Sequence, residues 1–354
     1  MLMETEAVRV AFVTEPGAAH LDIYLSCLAQ AAGVEEVVIV DRTAETFARA
    51  KMLFAKSSIR LQTWRDGVEM LKTVHPALAV VSLEAWHAPA TIETMLDWNC
   101  HVLAEKPACI RPEDFARLAQ IADSKHRFLM LALANRLSPP VRKARELIQS
   151  GRLGKLYGLN MHYVADQTRL TRPDYQQSWF ASRAKAGGGH LIWLGIHYLD
   201  LAQYVTGQKI ARVCGFSRNV GGQPLDVEDA AAVAMSFDDG MLGTLQSGYF
   251  LDRGKKSLVT VWGAQGWLQF DGVSGTALEW YSSAPGTKPK VESFAHEAPD
   301  APGSNLYASL VGSAVDAVRG RVAPFMKNEE GLHVLKAIFA LYRAAETGST
   351  QAVA

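Results

Sequence analysis

Long apolar runs are missing from this chain of 354 residues. No stretch approaches the roughly 20 consecutive apolar residues of a membrane-spanning helix, so no membrane partner is expected. Net charge is missing as well. Lys+Arg and Asp+Glu both total 36, which removes the field that draws proteins to nucleic acid or to anionic lipid. Cysteine is scarce: Cys27, Cys100, Cys109 and Cys214 form no close metal-ligand pairs, so no metal is expected. Such sparse usage suits reduced thiols in the cytoplasm. The opening segment MLMETEAVRVAFV carries acidic residues where a secretory signal needs positive charge, and a cytoplasmic location is expected. Internal repeats and low-complexity tails are absent too.

What is present is the composition of an ordinary globular protein, 49% hydrophobic and 20% charged, with enough length for two domains. Residues 1–134 alternate strand-like and helix-like segments. Val8–Val13, Val37–Val40, Ala77–Ser82, His101–Ala104 and Phe128–Leu133 read as buried strands; Ala18–Ala32, Ala44–Ala55, Thr91–Trp98 and Pro112–Ser124 read as helices between them. Near-continuous apolar strands alternating with helices predict a parallel sheet covered on both faces, the doubly wound dinucleotide-binding plan.

After Asn135 the pattern changes. A helix is predicted at Pro139–Ser150 and a strand at Leu156–Val164. Further strands follow at Ala230–Phe237, Met241–Ser247, Ser257–Val261 and Trp267–Phe270, with a hairpin turn at Asp238-Asp239-Gly240. Ser283–Gly303 reads as a surface loop, and two helices, Asn305–Arg319 and Glu329–Thr347, close the chain. The expected fold is α/β: an N-terminal Rossmann-type doubly wound parallel sheet at 1–134, then an α+β domain with a largely antiparallel sheet at 135–354, for substrate binding and oligomerisation. One face of that second sheet needs cover, so a homodimer or homotetramer is expected.

A dinucleotide loop normally reads G-x-G-x-x-G, because glycines let the backbone approach the pyrophosphate. Here Val13–His20 contains only Gly17. Gly17, Ala18 and Ala19 still permit a tight helix start whose free N–H groups bind phosphate, whereas Glu15 would oppose it if turned inward. Asp41 ends the second strand, about 24 residues after Gly17. It can accept hydrogen bonds from ribose hydroxyls and disfavour a 2′-phosphate, or it can cap the following helix. Arg42 could pair with a 2′-phosphate instead, so NAD is expected with NADP possible. Ser82, Leu83 and Glu84 leave the next strand at the ligand crevice of such a sheet; Trp86 and His87 follow on the same crossover, His87 read as a surface residue.

Two motifs about ninety residues apart carry the chemistry. The first is Glu105-Lys106-Pro107, directly after the strand His101–Ala104. A lysine held there can hydrogen-bond a reacting oxygen and stabilise developing alkoxide charge, while Glu105 could orient that lysine or the cofactor ribose. The second runs from Gly187-Gly188-Gly189 through His190, Trp193 and His197 to Asp200. His190, Trp193 and His197 share one helical face. An imidazole with an ordinary pKa near ~6.5 suits proton exchange with an alcohol.

This order and spacing resemble the glucose–fructose oxidoreductase/inositol dehydrogenase family, often called Gfo/Idh/MocA, over essentially the whole chain. The resemblance implies an NAD(P)-dependent oxidoreductase acting on a CH-OH group of a sugar, cyclitol or related polyol. It makes His197 the general acid/base and places Ser82 beside the nicotinamide ribose. The family commonly has aspartate four residues before this histidine, where this chain has Trp193, either a stacking face for a sugar or a pocket filler. His190 could supply part of the lost polar contact, and Asp200 could orient the imidazole. Arg136 resembles a bridge between cofactor and substrate regions, or else forms a structural salt bridge. His162, Tyr163, Asp166 and Arg169 leave the strand where the family reads substrate hydroxyls, and Tyr175 and Trp179 are candidate stacking aromatics, with a packing role equally open for Trp179. Two other classes stay open: an NAD-dependent glycosidase working by transient oxidation, and a non-enzymatic binding protein with a degenerate cofactor loop.

Overall fold

The computed structural model describes residues 7–272, 277–295 and 304–353. They form two compact units. One comprises the described residues of Met1–Ala134 and Ala301–Leu332, the other those of Asn135–Asp300 and His333–Ala354.

The first unit begins with β1 (Val8–Val13), α1 (Leu21–Leu28), β2 (Val34–Val40), α2 (Phe47–Phe54), β3 (Arg60–Trp64) and α3 (Gly67–Val74). It continues with β4 (Leu78–Val81), α4 (Ala88–Asp97), β5 (His101–Ala104), α5 (Pro112–Ser124) and β6 (Leu129–Leu131). All six strands are parallel, in the order β3-β2-β1-β4-β5-β6. That is the doubly wound order, whose switch point lies between β1 and β4. The central strands are sealed on both faces: Val10, Ala11, Phe12, Leu78, Ala79, Val80, Val102, Leu103 and Ala104 are fully buried. β3 and α3 were not expected. Every residue of β3 is half-exposed or exposed, as befits an edge strand, so Arg60–Trp64 shows none of the apolar density that marks its neighbours.

The second unit opens with α6 (Pro139–Gln149) and β7 (Leu156–Asp166). Short helical turns follow, including α7 (Pro173–Gln176) and α8 (Arg183–Ala186), then a π-helical turn at Leu191–Gly195 that runs directly into α9 (Ile196–Thr206). Seven strands come next: β8 (Ile210–Arg218), β9 (Ala230–Phe237), β10 (Leu242–Leu251), β11 (Lys256–Gly263), β12 (Gly266–Phe270), β13 (Ala277–Ser282) and β14 (Val291–Ala295). α10 (Ser304–Val318) belongs to the first unit, α11 (Asn328–Thr347) follows it, and β15 (Gln351–Ala352) ends the second sheet. That sheet has nine strands, β14-β13-β12-β11-β7-β10-β9-β8-β15. Only the β7–β10 pair is parallel.

Two expectations need correction. The second unit does not run unbroken from 135 to 354, because the described part of 301–332 packs with the first. α10 lies against α1, and the side-chain oxygen of Asn328 accepts from the Leu129 N–H at 2.7 Å, tying this segment to β6. The loop expected at Ser283–Gly303 contains β14, paired to β13; residues 296–303 lie outside the described residues.

Strand alternation gives the second sheet two unlike faces. Leu159, Met161, Tyr163 and Ala165 of β7 are buried on the face that carries α9, while Asn160 is exposed on the other. Ala232, Ala234, Leu242, Thr244 and Gln246 continue that open face along β9 and β10.

Candidate active site

In the first unit the site residues gather at the carboxyl ends of the parallel strands. Gly17 lies in the turn after β1 with φ 77°, and a Cβ built on it would meet no atom within 4 Å. Ala18 and Ala19 are buried beside it. Glu15 is turned away from any phosphate: its Oε1 accepts from the Glu84 backbone N–H at 2.6 Å and lies 3.0 Å from His87 Nε2. His87, expected to be an incidental surface residue, therefore clamps the loops after β1 and β4 together. Thr14, buried at the end of β1, has a hydroxyl without a hydrogen-bond partner among the described residues. An uncovered glycine in the left-handed region beside an orphaned hydroxyl, at the edge where such sheets hold ligands, fits a dinucleotide despite the short loop. Thr14, Gly17 and Ala18 are the residues that would hold it.

Two cofactor assignments are corrected. Ser82 is fully buried and its hydroxyl donates to the Ala19 carbonyl at 2.7 Å, so it braces the loop rather than facing a ribose. Asp41 is 1% exposed. Its Oδ1 accepts from the backbone N–H and hydroxyl of Thr43, and its Oδ2 from those of Thr46, all at 2.8–2.9 Å. A carboxylate offers about four acceptor positions, and all four are taken. Asp41 is thus the cap of the turn leading into α2, the structural role left open by the sequence. Burial pushes its pKa up, but the bonds from Thr46 and Thr43 outweigh burial and hold it below the ordinary value. Arg42, beside it, is exposed.

Glu105 and Lys106 emerge from β5, both almost fully buried. Glu105 Oε2 accepts from the Tyr24 hydroxyl at 2.7 Å, and Oε1 lies 3.9 Å from both Lys106 Nζ and His20 Nδ1. The Tyr307 hydroxyl lies 3.0 Å from the same His20 nitrogen. Burial, then the Glu105 charge, raises the Tyr24 pKa well above its usual value and keeps the phenol a neutral donor. Burial also lowers the His20 pKa, against the pull of Glu105. Tyr24 thus holds in place the carboxylate that lies beside the lysine. The sequence reading missed His20, Tyr24 and Tyr307. His20, three residues after Gly17, offered a local signal; Tyr307 in α10 offered none.

In the second unit the glycine run is positioned by Glu228. Its carboxylate accepts from the N–H groups of Gly189 (2.8 Å) and Leu191 (2.9 Å) and from the Tyr342 hydroxyl (2.8 Å). Gly189 passes so near that a Cβ would fall 1.9 Å from the Glu228 carbonyl oxygen. The π turn starts from this anchor, and α9 then carries His197, half-buried in its first turn.

The other substrate candidates are placed differently from expectation. His190 is fully buried; its Nδ1 lies 2.9 Å from the Ser247 hydroxyl. Burial, with a smaller contribution from Arg169, depresses its pKa to about 3, so it is a neutral packing residue. Trp193 is buried, edge-on to Trp179 at 4.9 Å and to Phe180 at 4.6 Å. Both indoles pack against aromatic neighbours, and the pocket-filling role of Trp193 is the one seen. Tyr163 is buried too, stacked on Tyr198 at 5.1 Å. Arg136 pairs with Asp200. Its Nε and Nη2 donate to Asp200 at 2.6–2.9 Å, with both residues buried and the guanidinium 5.0 Å from the Tyr204 ring. Asp200 is therefore held by Arg136 as one half of a structural salt bridge.

A doubly wound sheet with a buried lysine at its carboxyl edge, joined in one chain to a half-buried histidine on a glycine-anchored helix, defines a dinucleotide-dependent oxidoreductase. The chain belongs to the Gfo/Idh/MocA family. Residues 17–133 match the model described as "Oxidoreductase family, NAD-binding Rossmann fold", and residues 141–269 match the "GFO/IDH/MocA C-terminal domain". Among curated proteins it is 25% identical over 305 residues to D-glucoside 3-dehydrogenase of Escherichia coli (strain K12), covering 81% of this chain and 82% of the relative. It is 24% identical over 254 residues to 1,5-anhydro-D-fructose reductase of Ensifer adhaerens, covering 70% and 71%. Among solved structures, an oxidoreductase domain protein from Kribbella flavida superposes with TM-score 0.84 at 22% identity, covering 99% of this chain and 100% of the other. Levoglucosan dehydrogenase in complex with NADH and L-sorbose superposes with TM-score 0.84 at 17% identity, covering 99% of each.

The ion pair yields a prediction. Removing one partner of a buried pair strands the other charge, at a cost of about 3–5 kcal/mol. Asp200→Ala should lose that much in urea unfolding, and the double variant Arg136→Met/Asp200→Leu should recover most of it. Equal losses in the two proteins would contradict the pairing.

Proposed function

We propose that this oxidoreductase exchanges hydride between NAD(H) and a secondary carbinol of a sugar, cyclitol or related polyol. The observation that carries this reading is Lys106, a lysine almost fully buried at the carboxyl end of β5 with Glu105 at 3.9 Å. A buried cation at that edge is suited to a substrate oxygen that gains negative charge during reaction. The nicotinamide, when bound, accepts or supplies the hydride. Lys106 donates a hydrogen bond to the carbinol oxygen and stabilises it as charge develops. His197 takes the hydroxyl proton in oxidation and returns it in reduction. Glu105, fixed by Tyr24, keeps the ammonium in register. The named activities of the relatives, a glucoside dehydrogenase and an anhydrofructose reductase, support a carbohydrate substrate. NAD is proposed over NADP because the matched N-terminal model is described as NAD-binding and the levoglucosan dehydrogenase neighbour was solved with NADH; Arg42, exposed just after β2, is the counterweight.

The open face of the second sheet supports a homodimer or homotetramer. Phe216, Ala232, Ala234, Thr244 and Gln246 help line a broad cavity of about 730 Å³ there, and Phe216 and Leu242 are each more than 60% exposed. Contiguous apolar surface of this kind marks interfaces. No described helix is long and apolar enough to cross a membrane. Cys27, Cys100, Cys109 and Cys214 are not joined in disulfides, which supports the proposed cytoplasmic location.

His197→Ala should lower kcat/KM by roughly 10²–10⁴-fold, the usual contribution of a general acid–base group, with NADH affinity unchanged by calorimetry. Parental turnover in that variant, on a panel of aldoses, sugar acids and cyclitols, would reject the mechanism. Light scattering should show a dimer or tetramer, and Leu242→Glu should shift it toward monomer. A parent protein that is monomeric at working concentration would reject the interface.

A further inference from the structure

The second unit contains a cation that the chemistry above does not use. Arg169 sits in the short helical turn after β7, its guanidinium 4.7 Å from the Tyr175 ring centre and 5.6 Å from that of Tyr249. Its Nε is sealed from solvent and has no hydrogen-bond partner among the described residues, while the residue as a whole stays partly open. The nearby carboxylates are engaged elsewhere: Asp166 accepts from Thr168, and Glu228 from Gly189, Leu191 and Tyr342. A guanidinium cannot shed its charge as a lysine can. A partly desolvated arginine held between aromatic faces, with no carboxylate paired to it among the described residues, is costly, and stacking on tyrosine returns only part of that cost.

A chain of ring contacts links Arg169 to the start of α9, which carries His197. Tyr249 stands edge-on to His190 at 4.5 Å, and His190 lies 5.7 Å from Tyr163, which stacks on Tyr198 beside His197. Tyr175 stacks on Phe180, which meets Trp193. With His190 neutral, Arg169 is the fixed positive charge of this aromatic cluster. We propose that the substrate is a sugar bearing a carboxylate, and that Arg169 is its specificity-determining residue, pairing with that carboxylate. This inference rests on the oxidoreductase reading and refines it. One guanidinium balances a carboxylate monoanion and matches its two oxygens; a phosphate dianion would leave excess negative charge among the tyrosines.

Calorimetry on the full-length protein with NADH tests this, using D-glucuronate, D-glucose and D-glucose 6-phosphate as probes. Glucuronate should bind about tenfold or more tightly than glucose, as expected for added charge-assisted hydrogen bonds. Arg169→Gln should erase that preference, and Arg169→Lys should restore part of it. Equal affinity of the parent for glucose and glucuronate overturns the proposal, as does tighter binding of the phosphate ester. The parent-protein comparison needs no variant to fold. NADH fluorescence in the same samples separates the two readings. Cofactor binding without carboxylate preference sinks only this inference; carboxylate preference without cofactor binding sinks the dehydrogenase reading instead.

Discussion

The carboxylate of Glu228 accepts from two N–H groups of the glycine turn and from the Tyr342 hydroxyl, and the placement of His197 follows from that contact. Gly189 is needed because the turn presses against the Glu228 backbone. The anchored turn feeds a π-helical segment, an irregularity often found at functional sites, and α9 begins only after it. Tyr342 extends the same hydrogen-bonded group to α11. Burial raises the Glu228 pKa while the Gly189, Leu191 and Tyr342 bonds oppose that rise. A buried polar group of this kind is stable only when its partners are all in place. His197, the proposed proton carrier, therefore rests on a fixed backbone.

The first unit builds its lysine by similar means. Lys106 leaves a strand buried on both faces, and Glu105 beside it is held by Tyr24 from α1. The loop that precedes α1 is short of glycine, yet it is braced by three contacts: Ser82 on the Ala19 carbonyl, and Glu15 on the Glu84 N–H and on His87. These bonds give the loop rigidity that a glycine-rich turn obtains from its backbone geometry, and they leave Gly17 uncovered.

Much of this was legible in the sequence where the signal was local. Apolar runs located β1 and β5, and the helix α5 and strand β9 lie where periodicity placed them. Lys106 follows a strand end and His197 lies on a helix after the glycines, as the sequence pattern suggested, while the choice of His197 as acid/base came from the family resemblance. The losses came from long-range pairing. Arg136 and Asp200 are 64 residues apart, and Gly189 and Glu228 are 39 apart, so neither bond leaves a mark on any short window. Asp41 showed both possible roles in sequence, and only the positions of Thr43 and Thr46 reveal the cap. Trp193 and Trp179 look like stacking surfaces until their neighbours are known to be each other and Phe180. The return of 304–332 to the first unit had no compositional signature, since α10 and α11 read as ordinary amphipathic helices.

The central claim is direct hydride transfer between a sugar carbinol and the nicotinamide, carried out on a loop with a single glycine. Its most direct test uses NAD and sugars or sugar acids deuterated at each secondary carbinol in turn, with the reduced cofactor analysed by mass spectrometry. The account predicts reduced cofactor heavier by one deuterium for one labelled position and unlabelled cofactor for the others. Reduced cofactor that never carries the label, or turnover of the sugar with no reduced cofactor formed at any stage, would contradict it.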